Sequence, residues 1–114
     1  MAEAKREVRL IVLAKFKEEA TPEKIEEAIT EYAKLVDVIP AMNSFHWGKD
    51  DSAKVNLHLH EGYTHIFEST FDNIEGVQEY EDHPDHAVFE KLLLSCTEKL
   101  LVITYQPTIV NLQK

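Results

Sequence analysis

Between Glu79 and Phe89 the chain reads EYEDHPDHAVF, setting Tyr80, His83 and His86 around Pro84 in a sequence with six histidines in all. A neutral histidine can remove a proton from carbon, and a tyrosine can donate a hydrogen bond to an oxygen on which negative charge collects. Pro84 suits the first position of a helix and breaks one in its interior, so the segment is expected to run helix, break, helix. His86 then lies in the first turn of the second helix, where the positive end of the dipole favours neutral imidazole. Tyr80 closes the helix before it, from where its hydroxyl can turn into the same space. His83 precedes proline and is held out of helical geometry, so it is expected to cap the second helix or to face solvent. His83, His86 and the neighbouring aspartates raise zinc, but Pro84 spoils the shared helical face that such ligation uses. On residue types alone, His86 and Tyr80 fit a satisfied histidine and a core aromatic as well as they fit a base and a donor.

Three further groups bear on chemistry. His58-Leu59-His60 alternates as a strand would and H-x-H can chelate, yet no third ligand stands near it in sequence and a surface loop is the better reading. His65 shares a face with Tyr63, Phe67 and Phe71, so it points into core or pocket, where it either orients a ligand or His86 or is simply hydrogen-bonded. Tyr32, Ile29, Phe67 and Phe89 are pocket walls in an enzyme and ordinary core otherwise.

The elements that must position these residues read clearly. VRLIVLAKF (Val8 to Phe16) is a strand that is apolar on both faces at its middle. TPEKIEEAITEYAKLVDVIP is a helix with Thr21 as N-cap, Pro22 at its first position, apolar residues at helical spacing and Pro40 as its stop. SFHWG reads as a short strand, KDDSAKVNLHLHEG as a polar connection, and YTHIFESTF as an alternating strand. Asn73 caps the next helix, Pro84 opens another, and LLVITYQP is a final strand. The order β-α-β-β-α-β is that of a ferredoxin-like α+β domain, an antiparallel four-stranded sheet with helices on one face. Such helices cover one face only, and a bare apolar sheet face is rarely left in water. A homodimer whose sheets pack face to face or close into a barrel is therefore expected, with a pocket for a small molecule between sheet and helices.

Composition narrows the partners. Twelve Lys and Arg against 21 Asp and Glu give a formal charge of -9, which repels nucleic acid and anionic lipid. The single cysteine, Cys96, forms no internal disulfide, and no signal peptide or membrane-spanning run is visible, so the cytosol is expected. Residues 8–107 are read as one domain, 1–7 as a flexible N-terminus and 108–114 as a tail.

The stretches VDVIPAMNSFHWGKD, EGYTHIFESTF, YEDHPDHAVFEKLL and LLVITYQPT resemble those of the plant stress-response A/B barrel, or dimeric α+β barrel, family, in order and register over residues 8 to 107. The family holds heat-stable and boiling-stable stress proteins as well as a polyketide cyclase. The resemblance implies the dimeric barrel. It also implies, through the cyclase, a general base at His86 and an assisting tyrosine at Tyr80 for intramolecular aldol closure of a linear polyketide-CoA without any required cofactor. Where the cyclase carries a first-strand histidine, an aromatic pair in the first helix and a tryptophan before the last strand, this chain has Leu10, Ala28 with Ile29, and Thr97, which implies a different substrate. Relatives also hold a magnesium ion on main-chain oxygens that fall at Val36, Ile39 and Met42. The other reading the family offers is a non-catalytic, heat-stable stress or defence protein whose dimer, or a larger assembly of it, is the functional unit.

Overall fold

The computed structural model describes residues 7–112, so all but the last residue of the expected flexible N-terminus lies outside the described residues. The elements run β1 (Val8–Phe16), α1 (Pro22–Val38), β2 (Met42–Lys49), β3 (His65–Phe71), α2 (Ile74–Asp82), α3 (Pro84–Cys96) and β4 (Thr97–Tyr105). The four strands form one sheet in the order β2-β3-β1-β4, with every neighbouring pair antiparallel. This is the ferredoxin-like arrangement, with the second helix of the pattern divided in two.

β1 alternates strictly between buried and half-buried residues. Val8, Leu10, Val12, Ala14 and Phe16 face the helices and join Tyr32, Leu35, Phe67, Phe71, Tyr80, Phe89 and Leu93 in one core. α1 begins where its capping residues require: the Thr21 side chain accepts a hydrogen bond from the Lys24 backbone N–H at 3.1 Å, and Pro22 takes the first position, where no N–H is needed.

The division between α2 and α3 is made by three residues. His83 is extended (φ -69, ψ 134), as a residue before proline must be. Its backbone N–H donates to the Tyr80 carbonyl at 3.2 Å, ending α2, while its ring Nδ1 accepts the Asp85 N–H at 3.0 Å, starting α3. His83 thus caps both helices.

Three boundaries differ from those read in the sequence. β2 extends to Met42 and Lys49 because it pairs with β3 along its whole length. β3 begins at His65, leaving Tyr63 in the preceding turn with the Lys99 ammonium 4.4 Å from its ring centre. β4 starts at Thr97 with no loop after α3, since the Thr97 hydroxyl donates to the Leu93 carbonyl at 2.9 Å and closes the helix end directly. His58-Leu59-His60 is not a strand. The His60 ring accepts the Gly62 N–H in a turn where Gly62 has φ +82, a conformation glycine adopts without strain.

Among the described residues no α-helix lies on the other face of the sheet, one edge of which is bordered by the 50–63 connection with its 3-10 turn at Ser52–Val55. In register across this face lie Ile11 with Ile103, and Leu13 with both Leu101 and Ile66. Leu101 is 41% and Ile103 49% exposed, so the apolar centre of this face is open. Ion pairs Arg9–Glu68 and Lys15–Glu98 stand at opposite ends of β1 beside it. Among the described residues, no helix is long and apolar enough to cross a membrane.

Candidate functional site

The bend at Pro84 folds the last turn of α2 against the first turn of α3. This brings the Tyr80 and His86 rings to 4.3 Å between centroids, inclined at 54°. Both are buried, at 2% and 6% exposure. They share the wall of a cavity of about 200 Å³, whose apolar side is built from Leu10 and Val12 of β1, Leu100 and Val102 of β4, and Phe89 and Leu93 of α3, with Tyr32 reaching in from α1. Glu81 and Glu90, both exposed, also line it.

The polar groups inside are sparsely partnered. The Tyr32 hydroxyl is fully buried without a hydrogen-bond partner, and so is that of Ser69; the Tyr80 and Ser69 hydroxyls are close enough to influence Tyr32 without meeting hydrogen-bond geometry. Burial pushes the Tyr32 phenol up to about 12. Tyr80 is raised well above the ordinary phenol range, first by burial and then by the neighbouring Tyr32. Both phenols therefore remain protonated donors at neutral pH. His86 Nε2 lies 3.7 Å from Glu90 Oε2, beyond hydrogen-bonding distance.

Of the residues singled out in the sequence, His86, Tyr80, Tyr32 and Phe89 come together here. Phe67 stands one layer behind, its ring 5.3 Å from that of Tyr32. Ile29 and His65 are not at this cavity. They line a separate depression of about 470 Å³ with Pro22, Ile25, Trp47 and Lys49. His65 is on the helix-facing side of β3, as alternation requires, but at the wrong end of the strand to orient His86. Its ring is edge-on to Phe16 at 4.8 Å, stacks with Trp47 at 6.0 Å, and shares a 2.8 Å hydrogen bond with the Thr64 hydroxyl.

Burial, reinforced by the Lys49 charge, lowers the His65 pKa from its ordinary 6.5. The unfolded chain therefore binds the proton more readily than the folded one. The stability His65 contributes is complete above pH 6.5 and is lost as pH falls through that value toward the depressed folded one. We expect the melting temperature to drop between pH 7 and pH 5, and the drop to be smaller in His65→Phe, as measured by thermal scans across that window.

The magnesium expectation can be tested on the main chain. Residue 40 is proline, so the Val36 carbonyl loses its helical donor. The Ile39 carbonyl accepts one bond, from the Met42 N–H at 3.0 Å, which leaves a lone pair free. Carbonyl oxygens at the negative end of a helix suit a hard cation. Val36 and Ile39 thus fit the group, and the third expected ligand, the Met42 carbonyl, stands at the first residue of β2.

Glu81, Glu90, Leu93 and Val102 are site residues the sequence reading did not single out. The i, i+4 spacing of His86 and Glu90 was the available signal for one of them.

One sheet, helices on one face, and a small cavity between the layers holding a histidine and two buried phenols define a small ferredoxin-like α+β protein. The Stress responsive A/B Barrel Domain (Dabb) family profile matches residues 8–107, and the chain belongs to that family. It is 53% identical to the stress-response A/B barrel domain-containing protein HS1 of Arabidopsis thaliana, over 98% of this chain and 100% of that one. It is 43% identical to olivetolic acid cyclase of Cannabis sativa, over 88% of this chain and 96% of the cyclase. Among solved structures, the hydroxynitrile lyase of Passiflora edulis superposes with a TM-score of 0.87 at 27% identity, covering 94% of this chain and 98% of the lyase.

Proposed function

We propose that the protein is a cofactor-independent aldol cyclase that closes a poly-β-keto thioester into a ring, with His86 as the base and Tyr80 as the donor to the carbonyl oxygen. The observation that carries this reading is the ring-to-ring approach of His86 and Tyr80 on the wall of an apolar cavity. His86 takes a proton from the methylene between two carbonyls. The carbanion attacks the distal carbonyl, the Tyr80 hydroxyl stabilises the alkoxide that forms, and the alkoxide takes the proton back from the His86 imidazolium, leaving the thioester intact. Identity to a cyclase supports the assignment.

Cavity size limits what enters. Drug-sized ligand pockets run from about 300 to 1,000 Å³, and this one measures about 200 Å³. Only the ring-closing part of a substrate fits inside, and the thioester arm stays at the mouth. Leu10, Ala28 and Thr97 stand where the resemblance gives the cyclase larger or basic groups, so the substrate is assigned by class and not as the cyclase's own.

In this reading the protein works as a homodimer in the cytosol, its open sheet face covered by a second copy. The Val36 and Ile39 carbonyls at the end of α1, with that of Met42 at the start of β2, would hold a magnesium ion that would take no part in the chemistry. A second reading, a non-catalytic stress protein, is favoured by the identity to a stress-response relative and by the modest cavity.

Incubation with a panel of linear poly-β-keto-CoA thioesters, with products separated by mass, distinguishes the two. Cyclised product above the protein-free control, as the thioester or as the acid and free CoA that its hydrolysis by water gives, supports the enzyme, and its absence across the panel leaves the stress protein. For a substrate that turns over, Tyr80→Phe is expected to lower kcat by about 10²- to 10³-fold, the usual effect of losing one oxyanion donor. Because burial holds the Tyr80 phenol protonated, the native pH–rate profile should show no alkaline limb from this group up to pH 10, which is the ordinary phenol value.

A further inference from the structure

Glu81 and Glu90 have no part in the closure just described, yet both carboxylates stand beside the base. One ligand atom from each of Glu81, His86 and Glu90 can be chosen so that all lie within 4.8 Å of one another. We propose that this trio is a binding site for a divalent transition metal, with zinc as the ion its chemistry fits.

The carboxylates alone would be unremarkable on an acidic surface. The second observation is His86 itself. Its side chain is only 7% exposed, it is aimed between the two glutamates, and its Nε2 stands 3.7 Å from Glu90 Oε2 without bonding to it. A buried imidazole nitrogen near two carboxylates is a donor set of the kind zinc takes.

The fold supplies the positions. Glu90 follows His86 by four residues, one turn along α3, so the two share a helix face. Glu81 comes from the last turn of α2, across the Pro84 joint, where the negative end of that helix favours a cation. Ligand atoms around one tetrahedral zinc are roughly 3.3 Å apart. Both glutamates are exposed, so their side chains have room to turn inward from 4.8 Å. Three protein ligands would leave a fourth position for water. Imidazole with carboxylate suits zinc better than magnesium, which takes oxygen ligands. The formal charge of -9 raises the local concentration of any cation.

Metal ligation and proton abstraction use the same imidazole lone pair. Where His86 is the base, a bound zinc switches the closure off; this consequence rests on the cyclase reading, and the binding does not.

The test is a titration of chelator-stripped native protein with zinc chloride by calorimetry, in buffer with saturating magnesium to fill oxygen-only sites. Visible absorption of the cobalt(II) form reports the ligand geometry. Two double variants accompany it, both at exposed positions: Glu81→Gln with Glu90→Gln, and His58→Ala with His60→Ala. We expect one zinc per protomer, an affinity at least tenfold lower in the glutamine variant, and no change in the variant lacking the H-x-H loop. No saturable binding, equal affinity in the glutamine variant, or loss in the loop variant would each overturn the proposal. Zinc binding at the trio in a protein that cyclises nothing would uphold the metal site while removing the base.

Discussion

His86→Ala should lower the rate of cyclisation by about 10²- to 10⁴-fold, the range for losing a positioned general base. The comparison is single-turnover closure of whichever panel substrate the native protein accepts, with the melting temperature measured alongside. His86 is buried against Tyr80 and Phe89, so removing the ring enlarges the cavity and costs stability as well. His86→Gln keeps most of the volume and a hydrogen-bonding end while losing the basic nitrogen. Loss of rate in both variants, with the glutamine protein melting near the native temperature, identifies the base. A glutamine variant that turns over at the native rate removes His86 from the chemistry and returns Tyr80 and His86 to the core.

Ile103→Glu should convert the proposed dimer into monomers. Ile103 lies opposite Ile11 at the centre of the sheet face that no helix covers. Burying one such side chain stabilises by roughly 1.5 to 3 kcal/mol, and in a twofold-symmetric interface each substitution occurs twice. Because Ile103 is already half covered in the protomer, the loss from both copies is about 1.5 to 3 kcal/mol before the cost of burying a carboxylate. That alone corresponds to a dissociation constant weakened by roughly 10- to 10²-fold. Sedimentation velocity at micromolar protein reads this directly. A variant that still sediments as the native species would show that association, if any, uses another surface. Val88→Glu on exposed α3 is a matched control, since Val88 is 72% exposed on the helix side and should leave assembly unchanged.

The sequence was informative wherever a local rule fixed the outcome. Thr21 and Pro22 start α1, Asn73 caps α2 by accepting from the Gly76 N–H at 2.8 Å, and Pro84 breaks the helix, because caps and prolines act within a few residues. The doubly apolar β1 announced a sheet with an unfilled face. The site was legible in part, for the same reason: Tyr80 and His86 meet because they flank one joint. What escaped depended on distance along elements. His65 sits on the correct face of β3, but Ser69, near the Tyr32 hydroxyl, is four residues further along. At about 3.3 Å per residue the two are roughly 13 Å apart, and alternation carries no information on that axis. Ile29 and Tyr32 share a helix face at spacing three, yet the neighbours that cover each differ. Glu81 and Glu90 read as solvated charges because their proximity exists only once α2 folds back on α3.

The joint at His83 and Pro84 also divides the labour around the cavity. The tyrosine and histidine are set by one short helical corner, closed by His83 capping both helices. The walls around them come from elsewhere: Leu10 and Val12 from β1, Leu100 and Val102 from β4, and Tyr32 from α1. In the proposed site, what the cavity admits is therefore set on two strands and α1, while the polar groups that would meet it are set at one corner. Substitutions on the walls would reshape the space without disturbing the joint that presents the two rings.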